Sequence, residues 1–484
     1  MNLRPLSDLD GDLDRSVQSV LEHYRVPGAA VIVIKLGQAF AKLHGVKRIG
    51  SPEPVGPRTA FNVASTSKAF VSCAAAALVD DGLLNWDDPV QRHVPELEFY
   101  DPWITEHATL RDLSGNRTGL PRLGLTEYGF DPDVPVEEIF RRLKHTRPIA
   151  GFRDRFTYVN PGHTAVAIAV GRVAGKSFLQ ALRDRILVPL GMSGVSGGAA
   201  ARHELADFAA WHCDVDARTE VIEPLYSDNY LGSGGLWICA EDAVQWLRLH
   251  LGNGIVDGVK VLSEPALRET HSPQVIVRPE DIAPWIGVPG TRFAGYGLGW
   301  AISEWDGERM IGHSGSDLGV AAQVGLAPER GVAVAIYLNK NCAAAIELKL
   351  MMLQRLLNFG ERDWRAVVAD RSLPSTHVTE PRVDADPQPG TRPAFELAAY
   401  AGRYFHPGSG FATVRVKEGS LGLELDAGRM YSADLMPLGG HGFLYVSRHP
   451  SHRASMRVRV EFVVDGTRPT RMVIPEIEEF ARVS

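Results

Sequence analysis

The sequence predicts an α+β protein, an antiparallel sheet flanked by helices plus an all-helical region, followed by a small C-terminal β-barrel. Three observations predict it. Strand-like apolar runs broken by tight-turn residues stand at both ends of residues 1–365, and helical periodicity dominates between them. A proline-rich stretch then separates this part from a tail of short alternating strands. A chain of 484 residues is long enough for two or more domains with a sizeable core.

From Asp12 to Tyr24 the residues Leu13, Val17, Val20, Leu21 and Tyr24 recur at helical spacing, and Pro27-Gly28 ends the pattern. Ala29–Leu36 and Ala39–Val46 read as strands joined at Gly37-Gln38, so the early sheet is antiparallel. Phe70–Val79 is apolar or small almost throughout and stops at Asp80-Asp81-Gly82, which predicts a helix apolar on all sides and therefore buried. Helical patterns follow over Val136–Lys144, Gly162–Ala174 and Glu241–Leu251. Leu298–Trp305 and Arg309–His313 flank Asp306-Gly307, and Val320–Leu326 and Val332–Leu338 flank Pro328-Glu329-Arg330-Gly331, two hairpins that complete the sheet. Met351–Phe359 reads as a closing helix. Pro374, Pro381, Pro387, Pro389 and Pro393 mark a semi-rigid linker, placed at 366–393. The tail, 394–484, shows strands at Thr413–Val416, Leu421–Leu425, Gly442–Val446, Met456–Val464 and Arg471–Ile474.

Charge and cysteine usage narrow the function. Lys and Arg number 51 against 58 Asp and Glu, a net charge of −7, so no basic excess exists to neutralise phosphates or grip an anionic membrane. Cys73, Cys213, Cys239 and Cys342 lie far apart, in no metal or redox spacing, and fit free thiols in a reducing compartment. Met1–Leu13 carries acids where a signal peptide needs a basic and then an apolar stretch, and no apolar run is long enough to span a bilayer. The expectation is a soluble cytoplasmic protein without cofactor or metal, acting on a small molecule or short peptide and compatible with a homo-oligomer.

Ser65-Thr66-Ser67-Lys68 opens the buried helix, and the three-residue offset puts the Ser65 hydroxyl and the Lys68 amine on one face within mutual reach. Serine is a weak nucleophile at its free pKa; an adjacent amine takes its proton once desolvation and a neighbouring cation lower the amine's own pKa. The helix N-terminus adds positive potential, and the Ser65 N–H can face a developing oxyanion. Lysine is scarce, about ten residues against about forty arginines, and no other lysine has serine three positions earlier; arginine cannot surrender its proton, so lysine here is informative. The alternative is a capping serine followed by an exposed lysine.

Tyr158-Val159-Asn160 follows the strand-like Arg155-Phe156-Thr157 and precedes Pro161-Gly162 and a helix, which places it on a loop. Its tyrosine can shuttle protons beside a lysine, and Asn160 can contact a substrate amide or position Lys68. The alternative is a turn with a packing aromatic. His313-Ser314-Gly315 closes a predicted strand: Gly315 lets a substrate backbone approach, the Ser316 N–H offers a second oxyanion donor, and His313 can hydrogen-bond the catalytic hydroxyls or the substrate. Rival signals are weaker. Gly194-Val195-Ser196-Gly197-Gly198 spells a nucleophile elbow without its strand and helix, and His449-Pro450-Ser451-His452 has no partner ligands for a metal.

The order S-x-x-K, Y-x-N, H-x-G resembles the serine β-lactamase and penicillin-binding-protein superfamily, most closely the class C β-lactamase-related branch of D-aminopeptidases, D-amino-acid amidases and family VIII esterases. Phe61-Asn62-Val63-Ala64, Thr109-Leu110-Arg111-Asp112-Leu113 and Gly234-Gly235-Leu236-Trp237 are also similar to that branch. Leu397-Ala398-Ala399-Tyr400-Ala401-Gly402-Arg403-Tyr404 resembles the start of the lipocalin-like barrel appended to many such hydrolases. The resemblance implies a β-lactamase-like transpeptidase fold. It makes Ser65 the acylated nucleophile, Lys68 and Tyr158 the proton-handling pair, and Asn160, His313, Gly315 and Ser316 the substrate contacts. It implies a cofactor-free serine hydrolase of a small amide or short peptide, with a carboxylesterase or a non-catalytic penicillin-binding-like sensor as alternatives. His313 stands where β-lactamases keep a lysine for the antibiotic's carboxylate, so β-lactam hydrolysis is expected to be weak or absent.

Overall fold

A computed structural model describes residues 3–121, 134–215, 218–224, 226–370, 388, 390–417, 419–426, 432–448, 457–474 and 478–483. Helix α1 (Gly11–His23) starts where the Asp10 carboxylate accepts from the N–H groups of Asp12 and Leu13 at 2.9 and 3.0 Å, an N-cap that satisfies otherwise orphaned donors. Strands β1 (Gly28–Lys35) and β2 (Gln38–Gly45) form the first hairpin. The turn is Leu36-Gly37 rather than Gly37-Gln38, because a two-residue hairpin loop needs positive φ at both positions, and these two residues have φ of 50° and 77°.

Five further strands complete most of the sheet: β3 (Ala294–Tyr296), β4 (Ala301–Trp305), β5 (Glu308–Asp317), β6 (Val320–Ala327) and β7 (Val332–Leu338). The order is Arg4–Pro5, β2, β1, β7, β6, β5, β4, β3, Val275–Ile276, antiparallel except for the parallel edge pair Arg4–Pro5 with β2. The sequence places a continuous strand over Leu298–Trp305. The chain instead breaks before Ala301, because the Leu298 and Gly299 N–H groups are spent on the Thr270 and Ser114 carbonyls. Strand β5 runs four residues beyond His313, so His313-Ser314-Gly315 lies inside the strand and not at its close.

Both faces of this sheet are covered, which is why β1 and β7 read as unbroken apolar runs. In β1, Ala29, Val31 and Val33 pack with α1 and the closing helix α4 (Ala344–Leu357), while Ala30, Ile32 and Ile34 face the larger core. That core holds helices α2 (Ser67–Asp80) and α3 (Asn160–Ala174). Helix α2 is buried continuously from Ser67 to Leu78, with Phe70 stacked on Trp246 at 3.6 Å. Arg155-Phe156-Thr157, expected as a strand, is not one: Thr157 N–H donates to the Asn116 carbonyl and Val159 N–H to the Asn116 side chain, so one loop residue takes the bonds a ladder would need.

The tail closes into an eight-stranded barrel, Gly402–His406 pairing with both Gly410–Lys417 and Glu478–Arg482. Its interior is filled by Tyr400, Tyr404, Phe443, Phe462 and their neighbours. Most of the expected linker (371–387 and 389) and His449–His452 lie outside the described residues. Helix Trp364–Ala369 straddles the expected linker start, and Trp364 packs edge-on against Trp305. Ser196 of the elbow-like motif pairs with Trp237 and donates to Glu204 at 2.7 Å, a structural bond.

The segment leading to Tyr158 is pinned by fully buried Asp112, which accepts from Arg117 at 2.7 Å, from Arg153 at 2.8 and 2.9 Å, and from the Thr109 N–H at 2.9 Å. Burial pushes this carboxyl up, but the bonds from Arg153 and Thr109 and the Arg117 charge outweigh that and hold it below its usual range. Its contribution to stability is therefore complete above the ordinary carboxylate pKa, about 4, and fades as pH falls through the lower folded value. Replacing Asp112 by Ala strands two guanidinium groups and is expected to cost on the order of 3 kcal/mol, read from urea denaturation midpoints at pH 7.

Candidate active site

The turn before α2 sets the geometry. Ala64–Thr66 forms a single 3-10 turn, so Ser65 precedes the α-helix rather than lying in it. Ala64 is buried with φ of 45°, a left-handed conformation that an alanine adopts only under constraint. The constraint is visible: Asn62 Oδ1 accepts from the Ala64 N–H at 2.9 Å, and Thr66 Oγ1 donates to the Val63 carbonyl at 2.8 Å.

Lys68 is completely buried and its Nζ bonds Ser65 Oγ at 3.0 Å, Asn160 Oδ1 at 2.7 Å and the Ser233 carbonyl at 2.7 Å. The last two can only accept. A neutral amine has two N–H groups and one lone pair, so donating to both leaves the lone pair for the Ser65 hydroxyl; an ammonium donates a third hydrogen along that line. The same heavy-atom contacts serve both protonation states, and a proton can cross from Ser65 to Lys68 without rearrangement. Asn160 reaches this position as the first residue of α3, not from a loop. Ser233 sits on the turn before the short strand Leu236–Ile238, whose Leu236 N–H donates to Ser67 Oγ at 3.2 Å.

Tyr158 places its ring 4.9 Å from Lys68 Nζ and packs against Trp285, Tyr296 and His313. Gly315 meets the nucleophile turn face to face: a Cβ there would lie 2.3 Å from the Val63 carbonyl and 3.0 Å from the Ser65 nitrogen, so glycine is required by space. Strand β4 pairs with β5 only as far as Gly312, which leaves His313–Asp317, Ser316 included, without a strand partner on that side among the described residues.

His313 departs from expectation. Its side chain is 1% exposed; Nδ1 donates to the Ser314 carbonyl at 2.5 Å, which makes Nε2 the acceptor of the Tyr296 hydroxyl at 2.9 Å. Both nitrogens are spent, so the ring supports the Tyr158 wall and offers nothing to Ser65. Burial, helped by the Lys68 charge, pushes its pKa down to about 3. Sequence reasoning missed Ser233, whose contribution is a backbone carbonyl with no side-chain signal, and Tyr296, whose partner lies 17 residues on. It also missed Lys349, buried on α4, which holds the Trp285 carbonyl at 3.0 Å from behind.

A family model described as Beta-lactamase matches residues 13–356. The chain belongs to the beta-lactamase family. A second model, Domain of unknown function (DUF3471), matches residues 386–482 of this beta-lactamase-family chain. Unguisins hydrolase ungD' of Aspergillus campestris is 23% identical over 424 residues, 82% of this chain and 76% of that protein. Penicillin-binding protein 4 of Amycolatopsis lactamdurans is 25% identical over 327 residues, 67% and 83% of the two chains. The octameric penicillin-binding protein homologue from Pyrococcus abyssi matches with a TM-score of 0.62 at 22% identity, covering 97% of this chain and 99% of its own. SurE matches with a TM-score of 0.60 at 20% identity, covering 98% of each. Such likeness establishes a β-lactamase-like fold with an appended barrel.

Two outcomes follow from this geometry. Gly315→Ala is expected to part β5 from the Ser65 turn and lower kcat/KM for any Ser65-dependent substrate by about a hundredfold, and to lower the melting temperature as well, because the new Cβ meets backbone that must shift. The His313 ring resonances are expected to stay unchanged from pH 8 to pH 5 in NMR titrations. The unfolded chain protonates this ring near 6.5 and the folded chain does not, so acidification through that range also lowers stability.

Proposed function

We propose that this chain is a serine hydrolase that opens a small amide or short peptide through an acyl-enzyme at Ser65. The carrying observation is the buried Lys68 amine, which is held by two obligate acceptors, Asn160 Oδ1 and the Ser233 carbonyl, and lies 3.0 Å from Ser65 Oγ. Ser65 Oγ attacks the carbonyl and its proton passes to Lys68 Nζ. The oxyanion forms against the backbone N–H groups of Ser65 and Ser316, and the proton reaches the leaving amine by way of Tyr158. Water then attacks the ester and the steps run in reverse, restoring the serine.

The edge of His313–Asp317 that faces away from β6 has no strand partner among the described residues and supports a peptide-like substrate, because an extended backbone can add to it by main-chain hydrogen bonds. The hydrolase and penicillin-binding names of the relatives support the same reaction class. A neutral His313 supplies no cation for a β-lactam carboxylate, so cephalosporin turnover is proposed to be poor. The octameric Pyrococcus abyssi homologue supports self-association here too, which sedimentation velocity checks.

Intact mass after fluorophosphonate treatment is expected to show one adduct on the wild type and none on Ser65→Ala. The same variant should lose on the order of 10⁴-fold or more in kcat on matched ester and amide substrates. Unchanged turnover in Ser65→Ala would sink the mechanism. The ester-to-amide ratio of the wild type separates an amidase from a carboxylesterase.

A further inference from the structure

We infer that the far end of the open β5 edge is a subsite for a substrate ammonium group, with the Asp317 carboxylate as counter-charge and the Tyr230 hydroxyl as its brace. The inference rests on the hydrolase reading above and narrows its substrates to those whose acyl residue carries a free amine.

Side chains alternate along a strand, so His313, Gly315 and Asp317 share one face of β5. His313 touches the Tyr158 ring and Gly315 abuts the Ser65 nitrogen, so the strand runs from the proton-handling side, past the nucleophile, to Asp317. The leaving group departs on the Tyr158 side. The acyl residue therefore extends toward Asp317, whose backbone lies about 7 Å beyond Gly315 at the strand rise, within reach of a single aminoacyl unit.

Asp317 is suited to a cation. Its Oδ1 accepts from the Leu318 N–H at 2.7 Å, and the Tyr230 hydroxyl donates to the carboxylate. Tyr230 itself is buried, its ring filling the space where a Cβ on Gly234 would stand, one residue from the Ser233 carbonyl that holds Lys68. The carboxylate is thus fixed to the same turn as the catalytic amine. Among the described residues no lysine, arginine or histidine forms an ion pair with it, and Lys68, whose charge reaches it, is bonded to Ser65, Asn160 and the Ser233 carbonyl. Burial pushes the Asp317 carboxyl up, yet the residue keeps some exposure, so an arriving ammonium both reaches it and replaces the water it has lost.

The test compares p-nitroanilides of small D- and L-amino acids bearing a free amine with their N-acetyl counterparts, on the full-length wild type, Asp317→Asn and Ser65→Ala. The wild type is expected to favour the free amine by about 10- to 100-fold in kcat/KM, the range of a charged hydrogen bond. Asp317→Asn is expected to collapse that ratio, chiefly through KM for the free amine. Equal wild-type turnover of both members overturns the subsite and leaves the hydrolase reading intact. An equal loss on both in Asp317→Asn overturns it too, since that is the signature of an acid that merely balances Lys68. Should Asp317→Asn fail to fold, the wild-type ratio decides alone. No turnover and no Ser65 adduct in the wild type would remove the hydrolase reading and this inference with it.

Discussion

A primary amine shut away from water must hand its hydrogens to fixed acceptors, and that requirement on Lys68 organises the molecule around it. Unpaired burial of such a group is among the costliest events in folding. Here its partners include groups from three separate places, the turn before α2, the first residue of α3, and the Ser233 carbonyl 165 residues away in sequence. None of the three can shift without exposing or orphaning the amine. The two-sided sheet and the all-round apolar helix α2 keep water out, and the Asp112 clamp and Asn116 hold the approach to Tyr158 and Asn160 in register.

Much of this was legible because it is local. The Ser65-Lys68 offset brings the two side chains together across the 3-10 turn that leads into α2, and the apolar run behind it announces burial. The hairpins around Asp306-Gly307 and Pro328–Arg330 were readable for the same reason, since turn chemistry and strand pattern agree there. What escaped depends on distant partners. Arg155-Phe156-Thr157 has a strand-like composition, but its hydrogen bonds go to Asn116. The sequence pattern puts His313 at the site, yet its ring is claimed by Tyr296, which no spacing rule reveals. Three barrel strands were missed: Ala433–Gly439 carries Pro437 and a bulge, while Gly402–His406 and Glu478–Arg482 are short and pair with each other across the whole tail.

The wall behind Tyr158 shows how a core contact becomes a site property. Trp285 packs its ring on Tyr158 and His313, while its carbonyl is held by the buried Lys349 amine on the other face of the sheet. Packing on α4 and aromatic order at the site are therefore two ends of one chain of contacts. His163, one helical turn after Asn160, lies fully buried in the same region with neither ring nitrogen partnered among the described residues, and burial keeps it neutral.

The left-handed Ala64 has a consequence for how robust this fold can become. Its backbone carries about 1–2 kcal/mol of conformational penalty in the native state alone. Substitutions that strengthen the sheet or the barrel add to global stability around this local debt without cancelling it. Glycine would relax the penalty but return freedom to the peptide that aims Ser65, so at this one position durability and turnover are opposed by backbone geometry itself.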